Sequence, residues 1–252
     1  MIRARDEGRR GGMRFRLEMG GGSGLDALMR WTLPNTLTVG RLVAAPAIPV
    51  VFLYFARPWA DWFAIVLFVL AALTDWLDGW LARRWRQESN FGRMLDPIAD
   101  KAMVLMAMMV LVALWDLDPL VVLPATAIIF REVFVSGLRE FLGDRAAALR
   151  VTRLAKWKTT VQMLAIALLF SQGLFSHYLV TGMYGMDKPL VEAILGGREE
   201  DLFGLRWKYW GTLATYWGGL GAMWIAALLT LVTGAEYLSK AMPHLKDGRG
   251  PE

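Results

Sequence analysis

Six apolar runs of about 20 residues, at 37–56, 61–82, 94–115, 119–141, 155–175 and 211–237, constrain this chain more than any other feature. A helix rises 1.5 Å per residue, so each run can cross the roughly 30 Å hydrocarbon core of a bilayer. Inside lipid, backbone N–H and C=O groups have no water to bond, and a run of this length satisfies them as a helix. The expected fold class is therefore all-α, a polytopic integral membrane protein with six transmembrane helices. Composition agrees: 56% of the 252 residues are hydrophobic and mean hydropathy is +0.37, too apolar for an ordinary soluble domain.

The ends are different in character. Residues 1–24, "MIRARDEGRRGGMRFRLEMGGGSG", are rich in Arg and Gly and are expected to be disordered. They lack a small-residue cleavage site after an apolar core, so no cleaved signal peptide is expected. The next stretch, "LDALMRWTLPNTLTVGR", opens with a short amphipathic helix expected to lie on the membrane through Leu25, Leu28, Met29 and Trp31, ended by Pro34. A membrane domain then fills 25–240, and 241–252 form a tail.

Lys and Arg set the orientation. The segment through Arg41 carries 8, 83–101 carries 5, 131–158 carries 7 and the tail after 239 carries 3, against Arg57, Lys188, Arg198, Arg206 and Lys208 on the other side. Six spans then place both termini in the cytoplasm and the 171–210 connection outside, where its aromatics suit the interface. In so apolar a chain the net charge of +5 marks a membrane surface and membrane lipids as partners, with no nucleic acid expected. Tyr and Trp clusters such as "WKYWG" read as interfacial belts, and Gly218, Gly219 and Gly221 as helix-packing positions.

Four aspartates interrupt the apolar pattern in "TDWLDGWLARRWRQESNFGRMLDPIADK". Asp75, Asp78, Gly79, Ala82 and Arg83 fall at i, i+3, i+4, i+7 and i+8, one face of the second span, and Gly92, Asp96, Ala99 and Asp100 share a face of the third. Ionisable groups at membrane depth are costly and mark candidate functional sites. Four anions in one small space need cations. With no cysteine and only 2 histidines, those cations would be held by oxygen, which suits two Mg²⁺ or Mn²⁺ ions. Gly79 and Ala82 leave room for a phosphate-bearing ligand beside the acidic positions. Interface pairing with Arg83, Arg84, Arg93 and Lys101, or an ion path in a cation transporter, are the competing readings.

The pattern Asp75-x2-Asp78-Gly79-x2-Ala82-Arg83-x8-Gly92-x3-Asp96-x3-Asp100 resembles the signature of the CDP-alcohol phosphatidyltransferases, with all eight positions at that family's spacing. "PNTLTVGR", "LDPIADK", "REVFVSGLRE", "KWKTTVQM" and "EYLSKA" extend the resemblance over most of the chain and toward the branch whose acceptor is sn-glycerol 3-phosphate. The resemblance implies transfer of a phosphatidyl group from CDP-diacylglycerol to an alcohol with release of CMP, at the cytoplasmic face of a bacterial inner membrane, by a homodimer. It implies that Asp75, Asp78, Asp96 and Asp100 hold two divalent cations, Asp100 also being the general base. It places Asn35, Thr38, Gly79, Ala82, Arg83, Ser89 and Gly92 around the CDP group. The N-terminal extension and the long 171–210 connection depart from the family's usual pattern.

The acceptor depends on basic residues far from the motif. Glu132, Ser136, Arg139 and Glu140 share a face of the fourth span with Arg131 at its edge, and Lys156, Thr159 and Thr160 make a polar face at the start of the fifth. Cations at membrane depth need an anion, and a phosphorylated acceptor supplies one where serine or choline would not. Arg131, Arg139, Lys156 and Lys158 are the candidate phosphate contacts. Inositol phosphate satisfies the same charge argument, and pairing of Arg139 with Glu132 along the helix is the bland alternative.

Overall fold

The computed structural model describes residues 33–85, 90–143 and 153–245, with backbone alone at 33–34, 75–85, 90, 93, 153–156 and 244–245. These residues fall in one compact unit, Thr32–Glu252. The extension 1–24, the amphipathic segment after it and Ser89 lie outside the described residues.

Seven helices follow one another among the described residues: α1 (Leu33–Tyr54), α2 (Trp59–Trp85), α3 (Asn90–Leu114), α4 (Pro119–Leu142), α5 (Arg153–Gly182), α6 (Lys188–Leu195) and α7 (Leu205–Leu245). Five have apolar spans long enough to cross a membrane: Asn35–Tyr54, Met94–Leu114, Pro119–Leu142, Trp157–Gly182 and Leu205–Pro243. In α2 the apolar stretch with described side chains, Trp59–Thr74, is shorter, and the acidic motif follows it from Asp75 on the same helix. The 171–210 stretch, expected as a connection, is largely helical. Helix α5 runs to Gly182, α6 occupies Lys188–Leu195 and α7 starts at Leu205.

Local chemistry explains the boundaries. Pro119 follows the α4 N-cap Asp118, whose carboxylate accepts the Leu120 amide at 2.8 Å, and Gly143 ends the helix at φ 51° with its N–H on Arg139 and Glu140 carbonyls. Asp187 caps α6 in the same way. Asp201 accepts the amides of Leu205 at 2.6 Å and Arg206 at 2.9 Å and so starts α7. The Arg206 amide, with that of Leu205 adding to it, holds the Asp201 carboxyl below the usual carboxylate range. A depressed carboxyl pKa favours the folded cap above the ordinary carboxylate range, and that contribution fades as pH falls through the lowered value.

Helix α7 packs most extensively along α5, α1 along α3, and α4 against α7. The core between them is apolar: Phe68, Phe170, Ile48, Met108, Leu111, Ile128, Ile166 and Met223 are almost fully buried, with Phe52 stacked on Phe170 at 5.6 Å. Outward faces are apolar too, with Val43, Leu53, Leu123, Val133 and Leu228 well exposed, as lipid requires of a spanning helix. Gly219 and Gly211 admit α5 side chains: an added Cβ would meet Leu169 at 2.8 Å and Phe175 at 2.7 Å. Gly221 faces open space, so of the three expected packing glycines Gly219 makes the close approach.

Asp61, at the start of α2, is completely buried, 3.4 Å from the Arg57 Nε, and a Cβ on Gly173 of α5 would lie 2.6 Å from its Oδ1. A carboxylate walled in this way cannot swing aside. Overpacking costs about 1–3 kcal/mol, against about 1 kcal/mol that Ala gains over Gly in a helix. Gly173→Ala is therefore expected to lower the melting temperature in detergent micelles, and Gly221→Ala to leave it unchanged or raise it. Thermal unfolding of both variants beside the parent checks this; a Gly173→Ala protein as stable as the parent would show that Asp61 has room to move.

Candidate active site

Polar side chains gather at one end of the bundle. Helix α1 begins with "PNTLTVGR", and the three-residue spacing of Asn35, Thr38 and Arg41 turns all three into the protein interior. Thr38 donates its hydroxyl to Asp96 Oδ1 at 2.6 Å, and Arg41 donates from Nη1 to Asp100 Oδ1 at 2.9 Å, with Nη2 3.8 Å from Asp96. Asp96 and Asp100 stand one helical turn apart on α3, about half exposed (49% and 52%), while Arg41 is 6% exposed. Ala99 and Gly92 on the same helix are buried.

The same corner holds a cavity of about 260 Å³ lined by Arg41, Ala71, Ala72, Asp100, Met103, Val104, Thr159, Thr160 and Met163, contributed by α1, α2, α3 and α5. Thr159 and Thr160 of α5 thus share a small space with Asp100 of α3. A larger cavity, about 740 Å³, is lined by Val51, Phe55, Trp59, Trp62, Phe63, Val66, Leu67 and Leu70. It offers no ionisable group, so of these two cavities the smaller, mixed one suits chemistry.

Asp75, Asp78, Gly79, Ala82 and Arg83 lie on the last turns of α2, which continues unbroken to Trp85, so the helical register read from the sequence holds for the backbone there. Lys156 is on the first turn of α5, again at a position with backbone alone. Among the described residues no three acidic or histidine side chains cluster. The donor chemistry of the described half, two carboxylates one turn apart on an open face, suits a hard divalent cation.

A second polar cluster joins α4, α5 and α7. Glu132 of α4 is clasped by Lys158 of α5 and lies 3.5 Å from the Arg131 Nη1; the three side chains are 13%, 7% and 12% exposed. One carboxylate thus serves two cations, an excess of positive charge in a nearly dry place. Arg131 also donates from Nη2 to Thr233 Oγ1 of α7 at 3.2 Å. Ser136 donates to the Glu132 carbonyl at 2.6 Å and accepts from Lys101. Arg139 stacks over the Tyr237 ring at 5.2 Å. It does not pair with Glu132, whose carboxylate goes to Lys158 and Arg131. The two clusters are neighbours through the chain: Lys101 follows Asp100, and Lys158 precedes Thr159.

Arg41 and Thr233 belong to this constellation without having been singled out in the sequence, whereas Lys101, weighed there as a partner for the motif aspartates, reaches Ser136, and Tyr237 falls within "EYLSKA". Arg41 carried a signal, since it continues the polar face of Asn35 and Thr38 within an otherwise apolar run. Thr233 carried none, being an ordinary residue of a long apolar helix, and Tyr237 only its place in "EYLSKA".

A family model described as CDP-alcohol phosphatidyltransferase matches residues 31–187, which include every motif position. The chain belongs to the CDP-alcohol phosphatidyltransferase family. A Cereibacter sphaeroides protein named CDP-diacylglycerol–glycerol-3-phosphate 3-phosphatidyltransferase is 53% identical over 220 residues, covering 87% of this chain and 99% of its own length. Proteins of the same name from Rickettsia bellii and Salmonella typhimurium are 36% and 41% identical, over 81% and 60% of this chain and 92% and 83% of their own.

Removing the shared carboxylate isolates two buried cations, whereas removing one cation leaves a one-to-one pair. Glu132→Ala is therefore expected to cost on the order of 3–5 kcal/mol of stability, and Lys158→Met distinctly less. Thermal unfolding in one detergent, without substrates, ranks them; equal costs would mean that Glu132 does not depend on its position between the two.

Proposed function

We propose that the chain transfers the phosphatidyl group of CDP-diacylglycerol to sn-glycerol 3-phosphate, forming phosphatidylglycerophosphate and CMP. The bacterial relatives' shared name supports the reaction. The observation that carries the acceptor is the buried Arg131–Glu132–Lys158 cluster, with two cations to one carboxylate among the described residues; Lys158 directly precedes Thr159, which lines the Asp100 cavity. A phosphate monoester would neutralise it, and an uncharged alcohol would not.

Asp75, Asp78, Asp96 and Asp100 are assigned two Mg²⁺ or Mn²⁺ ions, and Asn35, Thr38, Gly79, Ala82, Arg83, Ser89 and Gly92 the CDP group. Bound there, the ions would polarise the diphosphate and stabilise charge on the departing CMP. The chain's own residues do the rest. Thr38 and Arg41 fix the planes of Asp96 and Asp100 before substrate arrives. Arg131, Arg139, Lys156 and Lys158 hold the acceptor's phosphate and so present its terminal hydroxyl to Asp100. Asp100 accepts that proton as the hydroxyl oxygen bonds to the lipid-bearing phosphorus and the bond from that phosphorus to CMP breaks. The proton then leaves to water through the half-exposed face of Asp100.

The family resemblance further supports six spans, α2 being the sixth, with both termini in the cytoplasm, a homodimer, and a bacterial inner membrane as the location. The membrane domain is assigned to 25–240, with 1–24 an extension and 241–252 a tail.

Two measurements test the assignment. In a CMP-release assay with CDP-diacylglycerol, sn-glycerol 3-phosphate is expected to be the preferred acceptor over inositol phosphate, inositol and serine. EDTA is expected to abolish release and Mg²⁺ or Mn²⁺ to restore it. Preference for inositol phosphate would reassign the acceptor, and full rates in EDTA, or metal flux into vesicles without lipid substrate, would remove the two-ion enzyme. Asp100→Asn is expected to slow turnover by roughly 10² to 10⁴ with a smaller change in CDP-diacylglycerol affinity. An Asp100→Asn enzyme of ordinary rate would strip that residue of its role as base.

A further inference from the structure

Both arginines of α4 that the acceptor reading uses rest on a single face of α7. Thr230, Thr233, Gly234 and Tyr237 fall at i, i+3, i+4 and i+7. Thr233, 4% exposed, donates its own proton to the Leu229 carbonyl at 2.8 Å, and its oxygen accepts from Arg131 Nη2 at 3.2 Å. The next residue is glycine, and the reason is visible: an added Cβ would stand 2.9 Å from Arg131 Cγ and 3.5 Å from its Nε. The Arg131 side chain therefore crosses α7 where that helix has no side chain of its own. One turn on, the Tyr237 ring, 8% exposed, carries the Arg139 guanidinium at 5.2 Å. Arg131 Nε is buried and has no hydrogen-bond partner among the described residues, so the guanidinium is held through its two terminal nitrogens, by Glu132 and Thr233.

The family match ends at residue 187, before α7 begins at Leu205. The CDP-linked donor is what the matched region would share, whereas the acceptor is what distinguishes one such reaction from another. An element outside the match that touches the acceptor-side arginines is where acceptor choice can be written.

We propose that α7 is an acceptor-positioning helix, in which Thr233 and Gly234 set the reach of Arg131 and Tyr237 that of Arg139, so that this face fixes where the acceptor's phosphate binds. The inference rests on the assignment of these arginines to that phosphate. None of the three α7 residues is given a part in the chemistry; each acts through the arginine it touches. Glycine in a helix interior is unfavourable relative to alanine, so a Gly234 without this task would be improved by alanine. Gly234 instead keeps the crossing open.

The experiment is a pair of KM measurements on the full-length enzyme in detergent, one for sn-glycerol 3-phosphate and one for CDP-diacylglycerol, with kcat. Gly234→Ala and Thr233→Val are expected to raise the glycerol 3-phosphate KM by about fivefold or more while the CDP-diacylglycerol KM stays within about twofold. Thr233→Ser, which keeps the hydroxyl, is expected to restore it. In an Arg131→Ala background, Gly234→Ala is expected to add nothing, because the side chain it displaces is gone. An unchanged acceptor KM in Gly234→Ala, or full additivity with Arg131→Ala, overturns the positioning role alone, provided Arg131→Ala itself raises that KM. If Arg131→Ala leaves it unchanged, the acceptor assignment falls and the role of α7 with it. Should Gly234→Ala fail to fold, the contrast between Thr233→Val and Thr233→Ser decides: equal acceptor KM values for the two overturn the proposal.

Discussion

Charge placed among apolar helices has to be answered by charge or hydrogen bonds from the next helix, and the Arg41 guanidinium on α1 gives that answer to α3. Its contacts with Asp100 and Asp96, with Thr38 adding a hydroxyl to Asp96, join the two helices at the end where the acidic motif begins. Without them two carboxylates one turn apart would repel each other at the edge of a low-dielectric bundle. With them the carboxylates are oriented and still about half exposed, which is the state a site for cations and phosphates needs. The packing of α1 along α3 and the opening of the Asp100 cavity both follow from this arrangement.

The second cluster uses the opposite imbalance. Around Glu132 there are more cations than anions, and around Asp96 and Asp100 more anions than cations. The two are separated by side chains but linked by adjacent residues, Asp100 with Lys101 on α3 and Lys158 with Thr159 on α5. Lys101 reaches Ser136, which bonds the Glu132 carbonyl, so the α3–α4 contact is itself polar at this end. A phosphate-bearing ligand would answer the positive side and divalent cations the negative one, so under the proposed function the two clusters would serve different partners of the reaction.

Much of the architecture was legible in the sequence because lipid leaves a chain few options. Long apolar runs became α1, α3, α4, α5 and α7 with ends displaced by a few residues. Displacement was largest where helices leave the membrane: in 171–210 aromatic and charged residues end the apolar signal, yet Asp187 and Asp201 caps and the Arg206 bonds to the Ile194 and Glu199 carbonyls sustain helix outside it. The acidic register was legible since a period of 3.6 is a strong constraint on Asp96 and Asp100. Arg41 was legible only in part, Tyr237 only as a member of "EYLSKA", and Thr233 and Gly234 not at all, for their partner lies about a hundred residues away. Periodicity reports which residues share a face; it does not report what that face meets.

The length of α7 has a mechanical meaning. Its 41 residues make a rod of about 60 Å, twice the hydrocarbon thickness, and long helices curve only gently. A stiff rod of this span turns a tilt of one degree about one end into roughly 1 Å of travel at the other. The Asp201–Arg206 fastening at the start of α7 and the Thr233–Tyr237 face near its finish therefore share one lever. Whatever holds the first bears on the aim of the second, so the two ends of α7 are not mechanically independent.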